Sequence, residues 1–297
     1  MKTNYTKKPL LYSEQVRLLK SRGLNIADTS FAEACLSDIS YYRLSAYFYP
    51  FLADKKNHVF RPGSDFDAVI NLYRFDNEFR LLLFNAITLI EVSVRTKLTY
   101  ELSHKYGPFW LENETLYRDK GKTTQLLSKL KDELNRSDEE YLAHYRNKYL
   151  EDIPPAWISL EISSFGLISQ LYMNLSNFKD KKEIARHFGF PQPVFQSFLH
   201  SLTVVRNICA HHSRIWNKVL SVQPVIPKGS IQSMVDSNKM KRDRISVIIL
   251  MMTEILSKIS IANDFRKEFE GLLIKYPDVD LRAMGFMVNI FDKNQTI

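Results

Sequence analysis

Apolar residues recur along this chain at three- and four-residue spacing, the period of a helix that buries one side. The longest such series is Ile70, Tyr73, Phe75, Phe79, Leu82, Leu83, Ala86, Leu89, Ile90, Val94 and Leu98. It predicts one long helix, capped at Asp65 or Asp67, reaching about Tyr106 and stopped by Gly107-Pro108. Before it, Ser13 opens a helix that ends at Gly23, Ser30 to Leu36 begins another, and the aromatic run YYRLSAYFYPFL follows. The polar patch at 53–65 predicts a loop or short hairpin. Residues 111–150 are charged and predict a solvated helix pair, with a mobile arm over a substrate groove as the alternative. Lys129 and Glu133 form an opposite-charge pair there. Pro154-Pro155 starts the next helical block, and Gly189 and Pro191 separate it from the run FLHSLTVVRNICAHHSRIWNKVL at 198–220, which reads as one long helix. Pro224, Pro227 and Gly229 break the pattern, and two helices follow at roughly 239–260 and 262–275. No repeat interrupts this order and no further strand pattern stands out. The fold class is all-α.

The helix at 198–220 carries an unusual bunching of polar groups. At about 100° per residue, Asn207, His211 and Arg214 project within about 40° of one another, with His200 and Thr203 on the same stripe. Arg206 lies to one side, within reach of its long stem. Leu202, Val205, Cys209 and Trp216 form the opposite stripe, and His212 turns toward that apolar side as a core or interface histidine. The polar face offers an imidazole for proton transfer and a guanidinium for phosphate charge. The same residues also suit a solvated helix face or salt-bridge partners.

Composition narrows the classes. In 297 residues, 45% hydrophobic and 12% aromatic content argue for a folded globule, and only 9 Gly and 11 Pro fit a helical protein with few tight turns. The net charge of +8 and a pI of about 9.2 favour an anionic partner, RNA first. The two cysteines, Cys35 and Cys209, sit in apolar surroundings as small core residues, which fits a reducing compartment. The basic N-terminus lacks an apolar run of signal-peptide length. ISVIILMMTEIL at 245–256 is too short to span a bilayer and reads as a buried helix. A soluble, cytoplasmic protein is expected.

Other chemistries fit less well. There is no Gly-rich phosphate loop. Cys209 and His212 stand three apart but on the apolar side, and His200 and His211 are about 16 Å apart on a helix, too far to share an ion. Asp138-Glu139-Glu140 reads as surface. No metal and no cofactor are expected. RNA cleavage needs neither, because each phosphate has a neighbouring 2′-hydroxyl as nucleophile. His211 would move the proton, Arg206 would hold the phosphate and stabilise its developing charge, and Asn207 would orient the imidazole or bind a phosphate oxygen. Arg214 shares the face of His211 and is a candidate for RNA binding, as is His212. Arg95, four residues after Glu91, is either half of an intrahelical pair or a second phosphate contact.

Arg206-Asn207-x-x-Ala210-His211 resembles the R-x4-H signature of the HEPN superfamily, in which a polar residue such as Asn often follows the Arg. The wider chain resembles the Abi-like (AbiD/AbiF-type) abortive infection family. The segments that carry this are SYYRLSAYFYPF at 40–51, IEVSVRTKL at 90–98, YGPFW at 106–110, PPAWISLEISSFGLISQLYMNL at 154–175, LTVVRNICAHHSRIWN at 202–217 and the ending DLRAMGF at 280–286. The resemblance implies one Abi-like domain over 1–297. Its HEPN-like helical-bundle core would span about 65–220, with an N-terminal helical part at 8–52 and C-terminal helices at about 230–290. It implies a metal-independent endoribonuclease in anti-phage defence, with Arg206, Asn207 and His211 catalytic. It also implies a homodimer, because such motifs meet in pairs, and it raises a non-coding RNA partner. The alternative is a non-catalytic RNA-binding sensor or regulator of a defence or toxin–antitoxin system, and a third reading is a structural dimer whose histidines only pack.

Overall fold

A computed structural model of the chain describes residues 4, 6, 8–237, 239–261 and 263–286. Among these the protein is all-α, with thirteen helices and a single two-stranded hairpin. The chain divides into two compact units, residues 1–79 with 272–279, and residues 80–271 with 280–297. The final residues of the chain, 287–297, lie outside the described part.

In the first unit, α1 (Tyr12–Ser21) packs on α2 (Thr29–Ile39), and α2 on α3 (Tyr41–Phe48). The first helix starts earlier than its serine suggests: Leu11 is the cap, and its N–H donates to Glu14 Oε2 at 2.7 Å. Asp28 caps α2 through the N–H of Phe31. Of the loop or short hairpin predicted at 53–65, the hairpin is present as β1 (Leu52–Asp54) and β2 (Val59–Phe60). The core holds Leu19, Leu36, Leu44, Phe75 and Phe79, all essentially without exposure. Asp76 is buried among them, and Tyr47 Oη donates to it at 2.7 Å, so the carboxylate is not left unpartnered.

The long helix α4 (Phe66–Tyr106) begins where the sequence placed it, with Asp65 Oδ1 accepting the N–H of Ala68 at 2.6 Å. It ends at Gly107, whose φ of 83° only glycine adopts freely. Its part beyond Phe79 belongs to the second unit.

In that unit the polar stretch forms α5 (Lys120–Arg136) and α6 (Glu140–Lys148). The first of these is no detached arm: it packs on α8 (Phe165–Asn174) through Leu126, Leu130 and Leu134. The short α7 (Ala156–Ser159) follows Pro154-Pro155. α8 and α9 (Phe178–His187) both pack on α10 (Gln192–Ala210). Phe165, Tyr172, Phe188, Phe195 and Phe198 fill the space between helices. C-terminal to Gly229 there are three helices where the sequence predicted two: α11 (Ser230–Ser237), α12 (Ile245–Leu256) and α13 (Phe265–Lys275). The helix expected at 239–260 is shorter, running only from Ile245 to Leu256, and α11 precedes it. α12 is buried nearly all round, as its apolar composition required, and no described helix is long and apolar enough to cross a membrane.

Candidate functional site

The helix that carries the motif is shorter than its sequence suggests. α10 ends at Ala210, not near Leu220, because the chain closes the helix with a Schellman turn. Ser213 N–H donates to Ile208 O at 3.0 Å and His212 N–H to Cys209 O at 3.1 Å. His212 sits at the left-handed position of this turn, φ 54°, where glycine is usual and histidine is among the better-tolerated alternatives. Two expectations change as a result. His212 is exposed instead of facing the apolar side, and Arg214, partly buried, lies beyond the helix and off its stripe. The apolar stripe itself is as read: Leu202, Val205, Cys209 and Trp216 are buried. Trp216 Nε1 donates to Asp280 O at 3.3 Å, which ties the motif segment to the ending DLRAMGF. Of the two cysteines, Cys209 is buried and Cys35 only partly so.

Arg206 and Asn207 line a groove of about 1030 Å³ built by α4, α5, the start of α8 and α10. Glu91 and Arg95 stand in it from α4, Lys129, Glu133 and Arg136 from α5, and Ser164 caps α8 at its rim. The Arg206 guanidinium lies over the Phe84 ring, 5.7 Å from its centre. Arg95 donates to Glu91 Oε1 at 3.0 Å and to Ser163 O at 3.2 Å. Both readings of Arg95 therefore survive: it is an intrahelical pair and it lines the groove beside Arg206.

The electrostatics are unusual in one respect. The Nε of Arg206 and the Nε of Arg95 are both buried with no hydrogen-bond partner among the described residues. Buried donors are normally satisfied, and two guanidinium donors left open in one groove suit acceptor oxygens from outside. Burial raises the Glu91 carboxyl above its ordinary range, against the pull of Arg95 and Arg206.

Glu133 pairs with Lys129 as the four-residue spacing predicts, at 4.0 Å. The stronger role is across the groove: Ser164 donates to it twice, from N at 3.0 Å and Oγ at 2.8 Å. Spacing within α5 reveals only the first contact, since the second joins residues 31 apart. Glu139, read as surface, is exposed and lines the groove.

His211 is the helix cap, exposed, with its N–H donating to Asn207 O at 3.0 Å. It does not line the groove that holds Arg206. Five residues on a helix place two side chains about 140° apart and about 7.5 Å along the axis. The fold of one chain brings together Arg206, Asn207, Arg95 and Glu91, and leaves His211, His212 and Arg214 at the end of α10.

The Abi-like protein family model matches residues 34–217, which run from α2 through the motif to the segment after α10. The chain belongs to the Abi-like protein family. No curated protein and no solved structure matches it. The matched span contains every groove residue named above, so the groove is a feature of the part that defines the family membership.

Proposed function

We propose that this Abi-like protein is a metal-independent endoribonuclease of the HEPN type, acting in the cytoplasm in abortive infection against phage. The observation that carries the proposal is the pair of buried, open Nε donors on Arg206 and Arg95 in a groove also lined by Asn207. A phosphate that reached either Nε would supply the acceptor it lacks. The substrate's 2′-oxygen attacks the adjacent phosphorus and the bond to the 5′-oxygen breaks. The products are a 2′,3′-cyclic phosphate and a 5′-hydroxyl, with one proton leaving the 2′-hydroxyl and one reaching the 5′-oxygen. Arg206 stabilises the charge on the phosphoryl oxygens. His211 moves the proton, and Asn207, one turn earlier, positions it.

One His211 does not serve easily as both base and acid, and it stands off the groove of its own chain. A homodimer answers both points, since a two-fold axis near the end of α10 supplies a second imidazole from the same sequence. Arg214 and His212, exposed or near the surface there, would contact RNA on either side. A non-coding RNA is the partner that best suits the same cationic surface as a guide or inhibitor.

The position of His211 also favours a second reading, in which the groove holds RNA without cutting it and the protein is a sensor or regulator of a defence or toxin–antitoxin system. Incubating the pure protein with labelled structured RNA in chelator, beside His211→Ala, separates the two. Cleavage with cyclic or 3′-phosphate ends, lost in the variant, supports the nuclease. Binding without cleavage, unchanged by the variant, supports the regulator. Light scattering that shows a monomer at working concentration would count against the shared site.

A further inference from the structure

We infer that the first unit carries a separate RNA-binding site, a pocket that receives an unstacked base of single-stranded RNA while the cations around it hold the flanking phosphates. The inference goes beyond the cleavage reading and rests on a different part of the chain.

The pocket, about 690 Å³, lies between α1, α3 and the hairpin. That is within the range of about 300–1,000 Å³ in which small ligands bind. Tyr41, Tyr42, Tyr49, Phe48 and Phe60 line it. Two of these rings face water: Tyr42 is 89% exposed and Tyr49 48%. Exposed aromatic faces around a concavity are what an unstacked base needs, since every base has a π-face to stack. Lys8, Arg22 and His58 also line the pocket, and among the described residues no carboxylate does. Lys55 stands over the Tyr49 ring at 4.5 Å. Tyr41 Oη accepts from Arg22 at 2.8 Å, which fixes that guanidinium at the wall.

A third observation suits a base that carries an exocyclic amine. Gln15 lines the pocket, and its Nε2 donates to Leu10 O at 2.9 Å. Its Oε1 is buried with no hydrogen-bond partner among the described residues. A buried amide oxygen beside aromatic rings asks for a donor. The exocyclic amine of adenine or cytosine is one, whereas a phosphate headgroup or a carboxylate offers only acceptors.

The test measures binding of a fluorescent oligoadenylate of about ten nucleotides to the full chain carrying His211→Ala, so that cutting does not intervene. The inference expects binding that weakens about tenfold or more in Tyr42→Ala with Tyr49→Ala and persists when both are Phe. Because both rings are exposed, their loss leaves the core intact, and an unchanged circular dichroism spectrum checks this. Lys8→Ala with Arg22→Ala should reduce the salt dependence. Equal affinity in the double alanine variant overturns the inference. So does duplex RNA that competes equally, or displacement of the RNA by phosphatidylglycerol vesicles that then depend on Tyr42. A chain that binds oligoadenylate through Tyr42 but never cuts RNA overturns the nuclease proposal and leaves this one standing. A chain that cuts RNA yet binds oligoadenylate independently of these rings does the reverse.

Discussion

Two concave surfaces of this protein carry cations, and they differ in what stands opposite those cations. In the groove of the second unit, Arg95, Arg206, Lys129 and Arg136 share the lining with Glu91, Glu133, Glu139 and Glu161. In the pocket of the first unit, Lys8, Arg22 and His58 have rings for neighbours and no carboxylate in the lining. A cation balanced by nearby acid holds a phosphate only where geometry leaves a donor open, as at the two Nε atoms. A cation without acid attracts any polyanion, and selectivity must then come from the rings and from Gln15. The groove is arranged for position and the pocket for capture.

The largest effect should separate them by chemistry. Arg206→Ala and His211→Ala are each expected to lower RNA cleavage at least about a hundredfold. Loss of Tyr42 and Tyr49 should leave the rate at saturating RNA nearly unchanged. Single-turnover kinetics read both, and an Arg206→Ala protein that cuts normally would remove the groove from the comparison.

The premise that burial without a matching acid penalises a cation can be tested at Lys181, which is 6% exposed and donates to Met173 O at 3.1 Å. Burial, with repulsion from Arg118 adding to it, pushes its pKa down to about 8. Its folded value lies below its unfolded one. Its contribution is therefore present above the unfolded pKa and is lost as pH falls through about 8. Thermal melts should show stability rising from about pH 8 toward the ordinary lysine range, by about 3 kcal/mol at most. Lys181→Met should abolish that rise and melt higher at neutral pH. An unchanged profile would break the premise.

Glu91→Gln removes one acid from the groove while keeping an acceptor for Arg95. RNA should bind the groove about fivefold more tightly, a change of about 1 kcal/mol. Because burial raises the Glu91 pKa, its ionised form is disfavoured in the fold. The stability it gives is full below the unfolded pKa and is lost as pH rises through the folded value. Groove affinity should follow, increasing as pH falls through that value in the native protein and staying flat in Glu91→Gln. A variant that binds more weakly would show that Glu91 positions Arg95 more than it opposes RNA.

The smallest effect concerns salt. Removing Lys8 and Arg22 should reduce the slope of log affinity against log salt for oligoadenylate by about 1.4. Removing Lys129 should change it less, since Lys129 stands among acids. Equal changes would mean that the two surfaces do not differ in the way their linings suggest.

The sequence by itself determined the helical class, because three- and four-residue periodicity and Asp, Gly and Pro stops act through neighbours in the chain. Asp65 capping α4 and Gly107 ending it were legible for that reason, as was the apolar stripe of Leu202, Val205 and Cys209. Arg206 and Asn207 were legible as a polar face and as a resemblance, and Arg95 as a partner of Glu91 or a phosphate contact. Only the tertiary structure decided where α10 stops. Nothing in FLHSLTVVRNICAHHSRIWNKVL is a helix breaker, and the end arises when His212 takes a left-handed backbone whose turn satisfies the carbonyls of Ile208 and Cys209. Only packing put Glu91 and Glu133 against Arg95 and Ser164, or left two guanidinium donors buried and open. The aromatic pocket was invisible for the same reason: YYRLSAYFYPFL reads only as an aromatic run, and whether a tyrosine ring is buried or faces water depends on which helix lies against it.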